Sequence, residues 1–319
     1  MKAALVTGPN QTPVYGDFKD PVAHAGHELI TVTASALSPA AKALAAGSHY
    51  GSSGLFPKVV GIDGVGLTQR GQRVYFGLPE APFGGMTQTV LVLSENCVPL
   101  PDNVDDVIAA AIANPGLSSV AALKARAAFK ASETVLVNGA TGAAGKLAVR
   151  IAKHMGARKV IATGRDSVAL QQVKNVGADI TINLLLEQKD LEGALGEQFS
   201  GDGVDVVLDY LFGERAATLL TTIERTSKGS TPIRYVVGGG GSGQEITLPS
   251  SVLRAVPIAI MGSGIGSVSW KGLMEAARDV LHAAVPGNLQ IDTTAVPLAA
   301  VEKTWSETTG KSRVVFVVE

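Results

Sequence analysis

The stretch from Glu133 to Asp166, ETVLVNGATGAAGKLAVRIAKHMGARKVIATGRD, constrains this chain more than any other. It opens on Thr134-Val135-Leu136-Val137, an unbroken apolar run of the kind found in strands buried on both faces. Gly139, Gly142 and Gly145 follow, and Gly156 comes after the next segment. From Lys146 to Met155 the apolar residues Leu147, Val149, Ile151 and Ala152 suit a helix. A second β-branched run, Lys159 to Thr163, completes a strand–helix–strand unit of about 30 residues.

The glycines have a mechanical use. A chain passing from a buried strand straight into a helix needs backbone freedom at the bend. A diphosphate reaches backbone N–H groups only where no Cβ intrudes, and the helix must lie close to its strand. The first turn of that helix then offers unpaired N–H groups and a partial positive charge. The spacing is Gly139-x-x-Gly142-x-x-Gly145 rather than strict GxGxxG, so a strand-to-helix bend with no ligand is the plain alternative. The residues expected against a dinucleotide are Gly139, Thr141, Gly142, Ala143 and Ala144. The second strand ends Thr163-Gly164-Arg165-Asp166. An acid there suits a ribose 2′-hydroxyl, whereas an arginine suits a 2′-phosphate, so Gly164 and Arg165 point to NADPH. Asp166 either pairs with Arg165 or caps the next helix.

On either side the chain changes character. The first ~110 residues read as mostly β. Strands are expected at Met1–Thr7, residues 28–35, Lys58–Gly66, Arg73–Phe76 and Gln88–Leu93, with one helix over Pro39–Ala46 begun by Ser38-Pro39. Two helices are expected next, over residues 105–113 and Leu117–Phe129. Strand and helix then alternate: helices at Val168–Val176, Gln188–Phe199, Arg215–Thr226 and Lys271–Ala284; strands at Ile180–Asn183, Val204–Asp209, Ile233–Val237 and Ala255–Met261. β character returns with Val296–Leu298 and Arg313–Val318. The pattern implies an α/β chain in which a doubly wound domain, 114–287, is inserted in a mostly β domain, 1–113 and 288–319. The cleft between two such domains is the default active site.

Composition excludes several alternatives. A net charge of −1 gives no broad basis for nucleic-acid or membrane binding. The one cysteine, Cys97, rules out an internal disulfide framework and a multi-cysteine zinc site, and is expected to be a packed, inert thiol. No stretch approaches the ~18–20 apolar residues of a membrane span, and the run after Lys2 is too short for a signal peptide. A cytoplasmic protein is expected.

Further motifs carry a resemblance. Gly84-Gly85-Met86-Thr87-Gln88-Thr89-Val90 with Val98-Pro99-Leu100-Pro101-Asp102, the helix Gly116 to Leu123, Gly177-Ala178-Asp179 with Ile182-Asn183, and Gly203 to Asp209 resemble passages of one family nearly end to end. The chain is similar to the medium-chain dehydrogenase/reductase superfamily, in its zinc-independent, quinone oxidoreductase-like branch. That resemblance implies a Rossmann domain set in a GroES-like domain and hydride transfer from NADPH to a quinone or an α,β-unsaturated carbonyl compound. A carbonyl reductase or alcohol dehydrogenase, or a non-catalytic NADPH-binding structural or regulatory protein, is the alternative.

Zinc-dependent members carry a Gly-His-Glu motif. Gly26-His27-Glu28 lies too early to match it and reads as a surface or strand-edge pair; the matching place is Gly61-Ile62-Asp63, where Ile62 replaces the histidine, and the cysteine ligand near Ser38 is missing. Zinc needs three or four converging donors, so no metal is expected in the reaction. Tyr50, in Gly47-Ser48-His49-Tyr50, resembles a family tyrosine near the nicotinamide and is the candidate proton donor, packing in the loop being the alternative. Ser118 is expected to touch the carboxamide, and the backbones of Gly238, Gly239 and Ser263 to flank the nicotinamide ribose and ring. The run Ala255–Met261, as an edge strand, implies a homodimer.

Overall fold

The computed structural model describes residues 1–48, 52, 54–201, 203–228, 232–306 and 312–319. The chain divides into two compact units. One comprises Met1–Asn114, Ala277–Pro286 and Gln290–Glu319; the other comprises Pro115–Ala276 and Gly287–Leu289.

The first unit is β-rich. It contains β1 (Lys2–Val6), β2 (Val14–Asp17), β3 (His27–Ala36), α1 (Pro39–Ala46), β4 (Lys58–Val59), β5 (Asp63–Thr68), β6 (Arg73–Gly77), β7 (Thr89–Leu93) and β8 (Cys97–Pro99). α1 forms as its ends dictate: Ser38 Oγ accepts from Ala41 N at 3.0 Å, proline opens the first turn, and Gly47 ends it at φ 80°.

The next helix, α2 (Asp106–Ala121), runs straight through Pro115 into a π-type turn, Ala122–Arg126. Two separate helices were the expectation. An interior proline costs about 3 kcal/mol; burial of Ile112, Leu117, Val120 and Leu123 on both sides of it outweighs that. The 21 residues Asp106–Arg126, which include an 18-residue window of mean hydropathy 1.4, also correct the expectation about membrane spans: by length and composition this helix could cross one. Two-thirds of the apolar window is buried within the protein, as in a core helix.

The second unit alternates strand and helix: β9 (Thr134–Asn138), α3 (Ala143–His154), β10 (Lys159–Gly164), α4 (Ser167–Asn175), β11 (Ile180–Asn183), α5 (Gln188–Ser200), β12 (Val206–Asp209), α6 (Gly213–Thr226), β13 (Ile233–Val237), α7 (Ser250–Ala255), β14 (Ile258–Gly262) and the start of α8 (Trp270–Ala283), whose residues from Ala277 on fall in the first unit. The chain closes with β15 (Thr293–Pro297), α9 (Val301–Ser306) and β16 (Arg313–Val317), in the β-rich unit. Pro257, which favours an extended residue before it, separates α7 from β14, so the last strand starts later than the apolar run at Ala255 suggests.

Six parallel strands form one sheet in the order β11-β10-β9-β12-β13-β14. β9, the first in sequence, lies centrally beside β12, and the order reverses between them. Their ends are in register, Asn138 opposite Asp209. Leu136, Ile161, Leu219, Leu220 and Ile223 build one of the cores against this sheet. The β-rich unit has a seven-stranded sheet, β15-β16-β3-β5-β6-β8 with β7 also pairing β3, and a three-stranded sheet, β2-β1-β4. The expected α/β class, a doubly wound sheet with a mostly β partner unit, is present.

Candidate nucleotide-binding site

The bend between β9 and α3 shows three glycines under different demands. Gly139 has φ +89°, a conformation that L side chains rarely adopt. At Gly145 a Cβ would fall 2.3 Å from Gly139 O and 2.6 Å from Ala140 Cα, so the helix could not approach its strand. Gly142 is different. It caps α3 in ordinary extended geometry, φ −78° and ψ 170°, with no side-chain cap bond. A Cβ there would meet only Gly139 O at 4.0 Å. The protein's own packing therefore does not require glycine at 142. The first-turn amides of Ala143, Ala144 and Gly145 lack helical partners by geometry and stand beside this open flank. A cradle that a side chain would fill, backed by helix amides, fits a diphosphate.

A buried polar chain holds the bend. Gly139 N donates to Thr163 Oγ1 (3.1 Å), Thr163 Oγ1 donates to Asn138 Oδ1 (2.6 Å), and Asn138 Nδ2 donates to Asp209 Oδ1 (2.8 Å). Tyr235 OH donates to Asp209 Oδ2 at 2.6 Å, while the amides of Leu211 and Phe212 donate to Oδ1. Burial and the Asp209 charge raise the Tyr235 phenol well above its usual range. Four neighbouring strands, β10, β9, β12 and β13, are thus tied together at their carboxyl ends, where an open parallel sheet binds ligands.

Gly164 ends β10, and a Cβ on it would strike Thr141 Cγ2 at 2.4 Å. Arg165 follows, exposed. Asp166 takes the capping role: its Oδ1 accepts from Val168 N and Ala169 N at the start of α4. Gly238 N and Gly239 N both donate to Asp209 O, and a Cβ on Gly239 would stand 2.9 Å from Tyr210 O. These two glycines therefore have a packing reason of their own. Ser263 N donates to Val237 O, which sets it at the end of β14. Tyr50 lies outside the described residues.

Sequence reasoning missed Tyr210. It follows β12 directly, its ring lies under Gly238, and its hydroxyl meets Ser119 Oγ at 2.8 Å. Burial pushes its phenol up to about 12, with bonds to Ser119 and Ser118 pulling the other way. Tyr210 thus joins the α2 serines, Ser118 among them, to the glycine run. Its place just past a central strand end was the available signal.

The β-rich unit buries a different group. Asp63 opens β5, and its Oδ2 accepts from Tyr75 OH at 2.9 Å. Burial pushes its carboxyl up to about 6, while the Arg313 charge, the Tyr75 hydroxyl and the Asn114 side chain pull it down. Among the described residues, Asp63 Oδ1 and Arg313 Nε and Nη2 are buried without a hydrogen-bond partner. Ile62, at the place that the resemblance matches to a metal-binding histidine, has no donor atom, and the Ser38 hydroxyl is engaged at α1. These residues do not fit a zinc ion. Cys97 is held inert, burial pushing its thiol up to about 12 with the Glu28 charge adding to it.

Six parallel strands in this order, with an open glycine at the central helix start, define a doubly wound sheet of the Rossmann class. Residues 143–279 match the zinc-binding dehydrogenase family, a span that omits Ser38 and Ile62. Over 99% of its length the chain is 29% identical to a probable NADPH-dependent quinone reductase of Emericella nidulans, all of which is covered. A probable oxidoreductase from Mycobacterium abscessus superposes with a TM-score of 0.75 at 26% identity, 99% of each chain being covered. A mycobacterial quinone oxidoreductase superposes with a TM-score of 0.83 at 19% identity, again over 99% of each. The chain is thus similar, over nearly its whole length, to members of the quinone oxidoreductase-like branch of the medium-chain dehydrogenase/reductase superfamily.

Proposed function

We propose that this protein is an NADPH-dependent oxidoreductase that reduces quinones or α,β-unsaturated carbonyl compounds by hydride transfer without a metal. The observation that carries the proposal is the unfilled flank of Gly142, set between two glycines that packing and backbone geometry do require. In this reading the amides of Ala143 and Ala144, with Gly139, Thr141 and Gly142, hold the diphosphate. Arg165 takes the 2′-phosphate, with Gly164 keeping the strand end close to Thr141. Ser118, Gly238, Gly239 and Ser263 place the nicotinamide end.

When bound, the reduced nicotinamide supplies a hydride. The protein's own work is to position the acceptor, exclude water and place a proton donor at the oxygen that gains charge. Tyr50 is the proposed donor. An acceptor already activated by conjugation needs no Lewis acid, which agrees with donor-less Ile62 at the place of the metal-binding histidine. The same point weighs against alcohol oxidation.

Loss of NADPH absorbance across a panel of quinones, enals, aldehydes and alcohols tests the acceptor class. Turnover is expected with the first two; reduction of simple aldehydes alone would overturn it. Arg165→Ala should weaken NADPH about 10- to 100-fold and leave NADH nearly unchanged, as befits loss of a charge-assisted phosphate contact. Equal wild-type affinity for the two cofactors would remove the role given to Arg165. β14 ends the six-stranded sheet, and two copies joined along that edge would form a homodimer. A solution mass of a single chain would contradict it.

A further inference from the structure

Apart from the nucleotide-binding bend, His24, His27 and Glu80 bring three ligand atoms within 4.8 Å of one another. Glu80 Oε2 lies 2.9 Å from His27 Nε2 and 3.2 Å from His24 Nε2. We propose that these three side chains bind a divalent transition-metal ion of the zinc type, at a site that takes no part in the proposed hydride transfer.

The backbone builds this cluster. His24-Ala25-Gly26-His27 is a tight turn: His27 N donates to His24 O at 3.2 Å, and Gly26 has φ +82°. That is the geometry of a type II turn, in which glycine belongs at the third position. It brings its first and last residues together, and the two imidazole rings lie 3.9 Å apart between centroids. Ser94 N, just past β7, donates to Gly26 O at 2.9 Å, and Glu80 N donates to Leu91 O in β7 at 3.0 Å. Both halves of the site are thus tied to one strand, and His27 itself is paired with Leu93 in the β3–β7 ladder. Little reorganisation is needed to bring the ligands together.

The ring geometry suits a cation shared by the three side chains. His27 Nδ1 faces Ala25 O at 3.3 Å, and a carbonyl only accepts, so Nδ1 carries the proton in the neutral ring. His27 Nε2 then presents a bare lone pair to a carboxylate oxygen that also carries only lone pairs. One metal ion satisfies all three atoms, and the Ala25 carbonyl then orients the ligand ring as outer partners of zinc-bound histidines do. Ligand atoms around tetrahedral zinc stand about 3.3 Å apart, close to the two separations to Glu80. Two imidazoles and one carboxylate suit Zn²⁺, Co²⁺, Ni²⁺ or Cu²⁺ rather than Mg²⁺ or Ca²⁺, and a water would complete the shell. The ion would fasten the 24–27 turn to the segment after β6. Leu78, Pro79, Ala81 and Pro82 of that segment wall a cavity of about 170 Å³ against Ala41 and Leu44 of α1.

The test is calorimetric titration of tag-free, chelator-treated protein with ZnCl₂, in parallel with Glu80→Gln and the double variant His24→Ala/His27→Ala. Circular dichroism confirms that each variant is folded. The double variant keeps His49, His154 and His282, so it measures background. The wild type should bind one equivalent of zinc more than the double variant, and its melting temperature should rise with zinc. Glu80→Gln, nearly isosteric, should bind at least about tenfold more weakly. Mg²⁺ should give neither heat nor stabilisation. Zinc binding by the double variant equal to that of the wild type, or no binding by the wild type, would overturn the proposal.

Discussion

Asp209 and Asp63 are both buried carboxylates at strand ends, one closing β12 and the other opening β5, yet they are held in opposite ways. Asp209 receives two backbone amides and the side chains of Asn138 and Tyr235, so both of its oxygens have neutral donors. Asp63 receives the Tyr75 phenol on Oδ2, with Asn114 also favouring its charged form, has no partner on Oδ1 among the described residues, and relies on the Arg313 charge, whose Nε and Nη2 likewise have no partner among those residues. The first arrangement ties four strands where a nucleotide would rest and needs no counter-charge. The second depends on long-range charge in a low-dielectric interior, which costs more and is easier to upset.

Removing the counter-charge should have the largest effect. Arg313→Met would leave Asp63 buried and uncompensated, at a cost of about 3–5 kcal/mol in unfolding free energy. Adding Asp63→Asn should restore much of it. A single variant that melts within a degree of the wild type would mean that the pair is not coupled.

The pH dependence sharpens the contrast. Asp63 has its folded pKa raised to about 6 from 3.8, chiefly by burial. The folded state therefore holds this proton more tightly than the unfolded chain. Its contribution to stability is fully present below pH ~4 and is lost as pH rises through ~6, a fall of roughly 1–3 kcal/mol. Denaturant midpoints across that window should show the fall in the wild type and a smaller one in Asp63→Asn. Equal slopes would remove Asp63 as the cause.

The satisfied network should show a smaller and more local response. Tyr235→Phe deprives Asp209 Oδ2 of its donor and should cost about 1–3 kcal/mol in chemical denaturation. A cost above that of Arg313→Met would reverse the comparison.

How much of this was legible in the sequence follows from how local each feature is. The β9–bend–α3–β10 unit and the caps of α1 are set by neighbours within a few residues, and the apolar runs and Ser38-Pro39 announce them. Continuity of α2 through Pro115 was not legible, because it rests on burial of side chains by elements far away in sequence. β2, β8, α7 and α9 are short and carry no strong period. At the candidate site the glycine triplet was readable, but the different demands on Gly139, Gly142 and Gly145 appear only when a Cβ is placed at each. The Ser119–Tyr210 contact spans 91 positions, and no local pattern signals it. Likewise His24-x-x-His27 is visible as a spacing, whereas Glu80 reaches it only through the pairing of β3 with β7.

The central claim is that Gly142 is glycine for the sake of a ligand and Gly145 for the sake of the fold. Measuring melting temperature and NADPH affinity together in Gly142→Ala and Gly145→Ala tests it most directly. Gly142→Ala should melt close to the wild type and lose at least about tenfold in NADPH affinity, because its Cβ would enter the space proposed for the diphosphate. Gly145→Ala should lose stability by about 1–3 kcal/mol or more from the clash with the Gly139 carbonyl. Unchanged NADPH binding in a well-folded Gly142→Ala protein would contradict the account.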